Sequence, residues 1–513
     1  MNRKILTSTF LLISFFLSSQ SCLGQNKQSE NSDTLALVGN QVITTWEFIR
    51  RAEYTVRPLY CQGSSNVDKQ IILNSLIAEK LLAQEAAEDS DFYSNKNIMS
   101  YLEGRKEQAM RQVHYYYEAY NKVKVNPDVV KRIFPLAGRK YNVSYFTVDK
   151  EKEAAFVRKK LFKDKMPFNK MFALLSHTKG DSLPSREVSW EKGEVKEIEQ
   201  ALFSYPLKKD EIVGPVSING KFIFMRINGW IDSPWRIVSE NQADQRLDDI
   251  TDWLKENKAG ENYKLYVAGL MKGEKVEFVR ETFENLAVLA AKATIVSDSI
   301  RKAILKKEIY EDPNKEMRGL TADMVEDIRT IADHPLLKID GKIWTVKDFQ
   351  AEIKKHPLVF RNRYWSKKNF VEEFRLAIVD LISDKYITLD AYKKGYDKDK
   401  MVTENYNMWK ESLLALYQKH SFLNERGVKE EDQMEVIKKI LDPYVVSIFK
   451  KYSGEIQINV PAFNKIELTR ISMVAAQPEM AFPLLVPSFP TLTTHSRLDY
   501  GKNQDYFFIK IFP

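Results

Sequence analysis

The sequence predicts an α+β protein that is mainly helical, in which one helical module occurs twice and an inserted α+β domain interrupts the first copy. Three observations support this prediction. Phe48 and Phe349 occupy matching positions at an offset of 301 residues. The stretch 141–230 shows the order β-α-α-α-β-β. The offset between matching segments of the two copies falls from 305 to 178 residues, so the second copy lacks about 127 residues that the first contains.

Residues 1–24 have the form of a signal peptide. Arg3 and Lys4 precede an apolar run from Ile5 to Leu17, which is too short to span a membrane. We therefore expect an exported protein. The polar residues 25–34 follow as a predicted tether.

The run Ser19-Gln20-Ser21-Cys22 is similar to a bacterial lipobox. In that motif the cysteine is acylated and becomes the mature N-terminus. Ser19 departs from it, because Leu or Val is usual three places before the cysteine. Lipidation of Cys22 is thus one expectation, and cleavage after Gly24 without lipidation is the alternative. Any contact with a membrane is expected only through a lipid anchor at Cys22.

Charge and cysteine content argue against a nucleic-acid-binding protein and against a fold stabilised by disulfide bonds. The formal net charge of +8 falls to about +6 once Arg3 and Lys4 are removed, and the basic residues are interspersed with acidic ones along the chain. This pattern is typical of a solvated surface and does not suggest nucleic acid as a partner. Without Cys22, Cys61 is the remaining thiol, so stability must come from packed cores.

The first module is predicted over residues 35–138. It begins with a hairpin, Leu35 to Ile43, which turns at Gly39-Asn40. Thr45 is predicted to cap the next helix. The helices are predicted at 46–56, at 67–85 with an apolar stripe, at 95–120, and after the Asn126-Pro127 start signal.

The inserted domain is predicted over residues 139–232. It opens with a half-buried strand, 141–148, followed by helical patterns from Glu151 and around Phe168. A polar loop leads to a short helix, 198–203. Two strands, 212–217 and 221–227, then turn at Asn219-Gly220.

The module recurs after Pro335. Residues 337–345 repeat the hairpin, and residues 377–385 match 72–80 at an offset of 305. Residues 266–283 match 444–463 at an offset of only 178 to 180, so the second copy lacks the insertion. The remaining predicted boundaries are 238–295 for the end of the first module, 296–334 for a helical linker, 335–468 for the second module and 469–513 for a β-rich tail.

The insertion carries local features that resemble a parvulin domain, the small peptidyl-prolyl isomerase fold. These are Ala201-Leu202-Phe203-Ser204 on the last helix, then Gly214-Pro215-Val216, then the final hairpin. Their order and spacing carry the resemblance, since no single piece is unique to parvulins. An unrelated α+β domain is the alternative.

The whole plan, a helical segment split by a parvulin-like domain and completed further on, resembles SurA-type periplasmic chaperones. Ala36 to Glu85 is the most similar part. The resemblance implies that residues 240–290 pack back onto 35–135 to form one helical core module. It also implies a periplasmic location in a Gram-negative bacterium.

Parvulins bind the twisted peptide bond in an apolar proline pocket beside paired histidines and a Cys or Asp. The resemblance places the histidine positions at Tyr145 and Phe222, and the Cys or Asp position near Thr178. It places the substrate-binding pocket at Ile198, Phe203 and Trp190. Phe222 cannot form the hydrogen bond of a histidine, so we expect weak isomerase activity or none.

The six histidines show no metal-ligand spacing, and no motif of another enzyme class occurs. We therefore expect no cofactor and no bound metal. His177 lies near the predicted site, but a single loop histidine is usually solvated. In the run 114–120 the tyrosines could serve client binding, although packing of Tyr116 and Tyr120 between helices is the simpler interpretation.

The leading hypothesis is an exported, SurA-like, ATP-independent holdase that binds unfolded outer-membrane or envelope proteins. Its parvulin-like domain is expected to be degenerate. One alternative is an active peptidyl-prolyl isomerase acting on proline-containing polypeptides. Another is a lipoprotein scaffold that holds one folded partner.

Overall fold

The computed structural model describes residues 34–86, 91–175, 182–190, 194–218, 220–232, 240–294, 329–339, 341–361, 369–428, 433–468 and 485–500. The predicted signal peptide, Cys22, most of the tether, most of the linker 296–334, Thr178 and His177 lie outside these residues, as does the predicted strand at the C-terminus.

The strands are β1 (Thr34–Val38), β2 (Gln41–Thr44), β3 (Arg139–Val148), β4 (Ser185–Ser189), β5 (Ile212–Ile218), β6 (Lys221–Asp232), β7 (Val276–Phe278), β8 (Pro335–Ile339), β9 (Lys342–Thr345) and β10 (Ile456–Ile458).

The α-helices are α1 (Thr45–Glu53), α2 (Asn66–Glu85), α3 (Asp91–Ser94), α4 (Lys96–Tyr115), α5 (Pro127–Ala137), α6 (Glu151–Arg158), α7 (Phe168–Leu175), α8 (Lys196–Phe203), α9 (Glu240–Leu270), α10 (Arg280–Thr294), α11 (Val346–Lys355), α12 (Phe370–Lys393), α13 (Lys400–Glu425), α14 (Gln433–Val436), α15 (Asp442–Lys451) and α16 (Val460–Lys465). Short 3-10 helices occupy Leu59–Cys61 and Tyr396–Lys398, and π-helical turns occupy Tyr116–Tyr120, Lys159–Lys163 and Ile437–Leu441.

The protein is thus mainly helical with antiparallel sheets, as the sequence predicts. The described residues divide into two compact units. The inserted unit comprises 117–264, and the repeat unit comprises 34–116, 265–468 and 485–500.

The inserted unit is built on a four-stranded antiparallel sheet in the order β4-β3-β6-β5. Helix α8 packs on one face of the sheet, and α6 and α7 pack on the other. The predicted order β-α-α-α-β-β lacks one of these strands, β4. It was missed because Ser185–Ser189 is polar and holds a single β-branched residue, so it shows no apolar alternation.

The repeat unit contains two three-stranded sheets, and the two repeats exchange strands between them. The hairpin β1-β2 of the first copy pairs with β10 of the second copy, Ala36 opposite Ile458. The hairpin β8-β9 of the second copy pairs with β7 of the first copy, Leu337 opposite Phe278. Ala36 and Leu337 are 301 residues apart, and Phe278 and Ile458 are 180 residues apart. These are the predicted offsets between the two copies, so the strands of the two sheets pair in the same register.

This exchange corrects one part of the predicted packing of the modules. Residues 240–290 were expected to pack back onto residues 35–135, and α9 does so where Ile250 and Trp253 pack with Val130 and Ile133. Strand β7, however, completes the sheet of the second repeat. The sheet of the first repeat is completed by residues 456–458 instead. The repeat itself is therefore present, and its two copies interlock rather than forming separate modules.

The long helices are exchanged in the same way as the strands. Helix α13 of the second copy packs on α2 of the first, and α4 of the first packs on α11 and α12 of the second. One apolar core accordingly mixes both copies, with Leu76 and Phe48 from the first beside Val445 and Phe463 from the second. The Phe48 and Phe463 rings meet edge to face, 6.2 Å apart between centroids.

Local interactions also repeat at the predicted offsets. The Thr44 side chain accepts a hydrogen bond from the Glu47 amide at the start of α1, and Thr345 does the same for Asp348 at the start of α11. The cap is thus Thr44 rather than the predicted Thr45, and α1 ends at Glu53 rather than near Val56. Lys80 pairs with Glu47 at 2.9 Å, and Lys385, the equivalent lysine, pairs at 2.8 Å with Glu352, which lies one helical turn beyond the position equivalent to Glu47.

Helix α2 is buried on nearly all sides, which corrects the prediction of a single apolar stripe. The tail segment 485–500 covers part of its polar side and contains no strand, which corrects the predicted β-rich tail over these described residues. The Asn74 amide donates to the carbonyls of His495 and Arg497, and it accepts a hydrogen bond from the Tyr500 hydroxyl at 2.8 Å. Buried polar groups of α2 are thereby satisfied by backbone and side chains of the tail.

Helices α4 and α11 approach closely at Gly104. A Cβ placed there would lie 2.0 Å from the backbone oxygen of Lys355. Alanine normally stabilises a helix relative to glycine by up to about 1 kcal/mol. We expect Gly104→Ala to do the reverse and destabilise the repeat unit by about 1–3 kcal/mol, because backbone must move to admit the methyl group. Urea unfolding followed by far-UV circular dichroism measures this change, and equal or raised stability would contradict the close approach.

A buried ionisable group joins the same two helices. The Glu107 carboxylate accepts hydrogen bonds from Lys355 at 2.7 Å and His356 at 2.6 Å, with Tyr392 at 3.3 Å. Burial would raise the pKa of Glu107, but the hydrogen bonds from His356 and Lys355 outweigh burial and lower it to about 2. Burial lowers the pKa of His356 in spite of its bond to Glu107, with Arg111 adding to the effect and Glu352 opposing it.

Both shifts make the folded state resist protonation, so we expect acid to destabilise this unit. As the pH falls below 6.5, the unfolded chain protonates His356 before the folded chain does, and the same holds for Glu107 below 4.5. The free energy of unfolding should therefore fall on acidification, by at most about 1.4 kcal/mol per pH unit for each group. Urea titrations from pH 8 to 5 should show a shallower fall for His356→Gln than for the parent. Identical slopes would refute the contribution of His356.

Candidate functional site

The sheet of the inserted unit presents two different faces, set by the alternation of side chains along β3. Tyr141, Val143 and Tyr145 belong to the apolar cluster under α8, whereas Phe146 and Val148 belong to the cluster under α6 and α7. A binding site built on this sheet therefore uses either the face under α8 or the face under α6 and α7.

The predicted pocket residues Ile198, Phe203 and Trp190 come together on the first face. Ile198 and Phe203 lie on α8 and are buried against β3 and β6. Trp190 follows β4 directly, and its ring meets that of Phe203 edge to face at 5.6 Å. The structure thus brings the apolar wall together where the sequence places it.

This wall is covered by a tryptophan from α9. The Trp253 and Trp190 rings lie 5.0 Å apart, and the Trp253 indole donates a hydrogen bond to the Glu199 carboxylate at 3.0 Å. Glu199 also accepts a bond from the Glu194 amide, while burial raises its pKa. The apolar groups that could enclose a proline are therefore packed against one another.

The positions given to the two histidines are not brought together. Tyr145 packs against the cluster under α8, with the Arg186 guanidinium 5.8 Å from the centre of its ring. Phe222 packs on the opposite face with α6 and α7. The side chains of Tyr145 and Phe222 therefore lie on opposite faces of the sheet and cannot act together on one substrate.

The tyrosine run behaves partly as the simpler interpretation predicts. Tyr120 is buried, and its hydroxyl donates a hydrogen bond to Asp252 of α9 at 2.7 Å. Tyr116 and Tyr117 are half-buried in the π-helical turn. Tyr120 is therefore a packing residue between helices.

The edge strands of the two small sheets in the repeat unit form a second candidate site. Strand β2 lies at one edge of its sheet and β9 at one edge of the other, and β10 and β7 form the opposite edges. Val42 on β2 is 42 % exposed, and Ile343 is 63 % exposed at the equivalent position of β9. An outer strand with an exposed β-branched residue can accept an added strand from an extended peptide.

A groove on the second face of the inserted sheet is a third candidate, and the sequence analysis did not find it. It has a volume of about 460 Å³ and lies between α6 with its following π-helical turn and the hairpin β5-β6. It is lined by Glu151, Ala154, Ala155, Arg158, Lys159, Phe162, Lys163, Pro215 and Phe222. The basic residues at the end of α6 and in the following turn can be seen in the sequence, but only the folded structure places them beside Pro215 and Phe222.

Among the residues that the structure describes, no group of three or more His, Cys, Asp or Glu side chains is arranged to hold a metal ion. Within the same residues no helix has the length and hydropathy needed to cross a membrane. In comparisons with known proteins, no family model, no curated protein and no solved structure matches this chain.

Proposed function

We propose that this protein is an ATP-independent holdase of the periplasm that binds unfolded outer-membrane or envelope proteins. Extended clients would add as strands to β2 and β9 in the repeat unit. The observation that carries this proposal is the pair of outer strands that expose Val42 and Ile343 at equivalent positions of the two repeats. Two equivalent acceptor edges suit many extended clients better than one folded partner.

The inserted unit has a different part in this proposal. Its resemblance to parvulins suggests descent from an isomerase, whereas its packed wall of Trp190, Phe203 and Trp253 argues against catalysis. A signal peptide and a lipid anchor at Cys22 remain part of the proposal, and detection of an acylated N-terminal cysteine by mass spectrometry would test the anchor.

The holdase activity is tested by the aggregation of a porin-like protein diluted from urea. The parent protein should suppress light scattering at a stoichiometric ratio. The double variant Val42→Lys with Ile343→Lys should suppress it less, because a lysine on an outer strand discourages strand addition. Leu265→Lys is the matched control, since Leu265 is 70 % exposed but lies on α9. Failure of the parent to suppress aggregation would refute the proposal.

An active isomerase remains the second candidate, because Ile198, Phe203 and Trp190 do converge. A protease-coupled assay on a proline peptide separates the two functions. We expect no rate above the uncatalysed one. A measurable rate that is lost in Phe203→Ala would instead favour the isomerase and place its site. A single stable partner in pull-downs would favour the scaffold over both.

A further inference from the structure

The groove beside α6 differs from both sites discussed so far. It opens on the face of the inserted sheet opposite to the wall of Ile198 and Phe203, and it belongs to a different unit from β2 and β9. Its volume of about 460 Å³ is within the usual range for ligand pockets, about 300–1,000 Å³. Binding of a ligand in this groove would not depend on the proposed holdase activity.

The groove carries an excess of positive charge. Arg158, Lys159 and Lys163 line it and are exposed, and none of them forms an ion pair with any residue that the structure describes. The neighbouring Lys160 pairs with Asp164 at 2.9 Å, so that local carboxylate is already engaged. Glu151 is the single acidic residue in the lining.

The same groove has an apolar floor. Pro215 and Phe222 line it from the hairpin β5-β6, and Ala154 and Ala155 line it from α6. Because both α6 residues are alanines, their short side chains leave space above the hairpin. Phe162, 38 % exposed, lines the groove from the π-helical turn. Such turns within helices are frequent at functional sites.

From these features we propose that the groove is a binding site for an acidic segment of an extended polypeptide. One apolar side chain of the segment contacts Phe162, Pro215 and Phe222. Its carboxylates pair with Arg158, Lys159 and Lys163. Arginine and lysine beside aromatic rings give such a segment both charge complementarity and apolar contact.

A peptide fits this site better than an anionic membrane surface does. The three cations border an open groove with an apolar floor. A single chain can place a side chain into the groove, whereas a flat layer of headgroups meets only the rim.

The test measures fluorescence anisotropy of a labelled peptide, Gly-Glu-Phe-Asp-Leu-Glu-Gly, titrated with the full chain at low salt. A peptide with Gln and Asn in place of its acids is the matched ligand. We expect the acidic peptide to bind at least about tenfold more tightly, and its affinity to fall with added salt. Equal affinities for the two peptides would overturn the proposal.

Protein variants locate the site. Lys159→Glu with Lys163→Glu should weaken binding of the acidic peptide by about tenfold or more, and Ala155→Trp should weaken it by filling the groove. Lys152→Glu with Lys170→Glu is the matched control, because these lysines are exposed on α6 and α7 but do not line the groove. Its affinity should stay within about twofold of the parent.

Two further outcomes would also overturn the proposal. One is an unchanged affinity in both groove variants while circular dichroism shows them folded. The other is binding of phosphatidylglycerol vesicles that depends on Lys159 and Lys163, together with no binding of the peptide, which would assign the groove to a lipid surface.

Discussion

A chain cut once between its two repeats is expected to remain a single particle in native buffer. A site for a specific protease inserted near residue 312, outside the described residues, allows the cut. Each three-stranded sheet contains a strand from the other half, and the core around Phe48 and Val445 contains side chains of both. The two fragments should therefore elute together at the volume of the intact protein.

The fragments should separate only in denaturant, where gel filtration resolves two smaller species. Protein without the inserted site, treated with the same protease, is the control for unintended cleavage. Separation in native buffer would contradict the strand exchange, because two self-contained modules would have no reason to stay bound after the linker is cut.

Loss of the buried pair between Arg51 and Glu79 is expected to have the second largest effect. The guanidinium of Arg51 donates to both carboxylate oxygens of Glu79, at 2.6 and 2.8 Å, and to the Ser488 carbonyl at 2.9 Å. The side chains are 0 % and 2 % exposed. Glu79→Ala leaves a buried cation without its counterion, so we expect a loss of about 3–5 kcal/mol in the opening free energy of α1 and α2, measured by amide exchange.

Two variants show whether this loss comes from burial. Lys451→Ala removes an ion pair with Glu85 whose lysine is 60 % exposed, and it should cost much less stability because solvent screens this pair. Arg51→Met combined with Glu79→Leu removes both charges and should recover much of the stability lost in Glu79→Ala. A loss in Glu79→Ala no larger than that in Lys451→Ala would refute the role of burial.

Local elements were predictable from the sequence because their signals are local. The turn at Gly39-Asn40 and the Asn126-Pro127 start of α5 each act over a few residues. The offset of 301 likewise placed the second hairpin and its helix correctly. Repeats are visible in a sequence because equivalent positions need the same side chains.

The exchange of strands was not predictable from the same information. Strands β7 and β10 have matching patterns, Val276-Glu277-Phe278 and Ile456-Gln457-Ile458, so either could pair with either hairpin. The choice depends on where the helices between them lead the chain. That is a property of tertiary packing, which no local pattern encodes.

The candidate site was also predictable from the sequence only in part. Phe203 and Trp190, which the sequence assigns to one wall, are in ring contact, because Phe203 ends α8 and Trp190 lies shortly before that helix in the chain. Sequence reasoning could not find Trp253, which closes that wall from α9, or the groove, whose lining comes from separate elements. Contacts between distant segments decide whether an apolar wall stays open to a ligand.

The pairing of β1 with β10 also dictates the order in which the protein can mature. During synthesis Thr34–Val38 leaves the ribosome well before the strand opposite it, Ile456–Ile458, since the paired residues Ala36 and Ile458 are 422 positions apart. Closing so long a loop is entropically costly and slows folding. The first hairpin must therefore wait, with one backbone edge unpaired, until Ile456–Ile458 has been made.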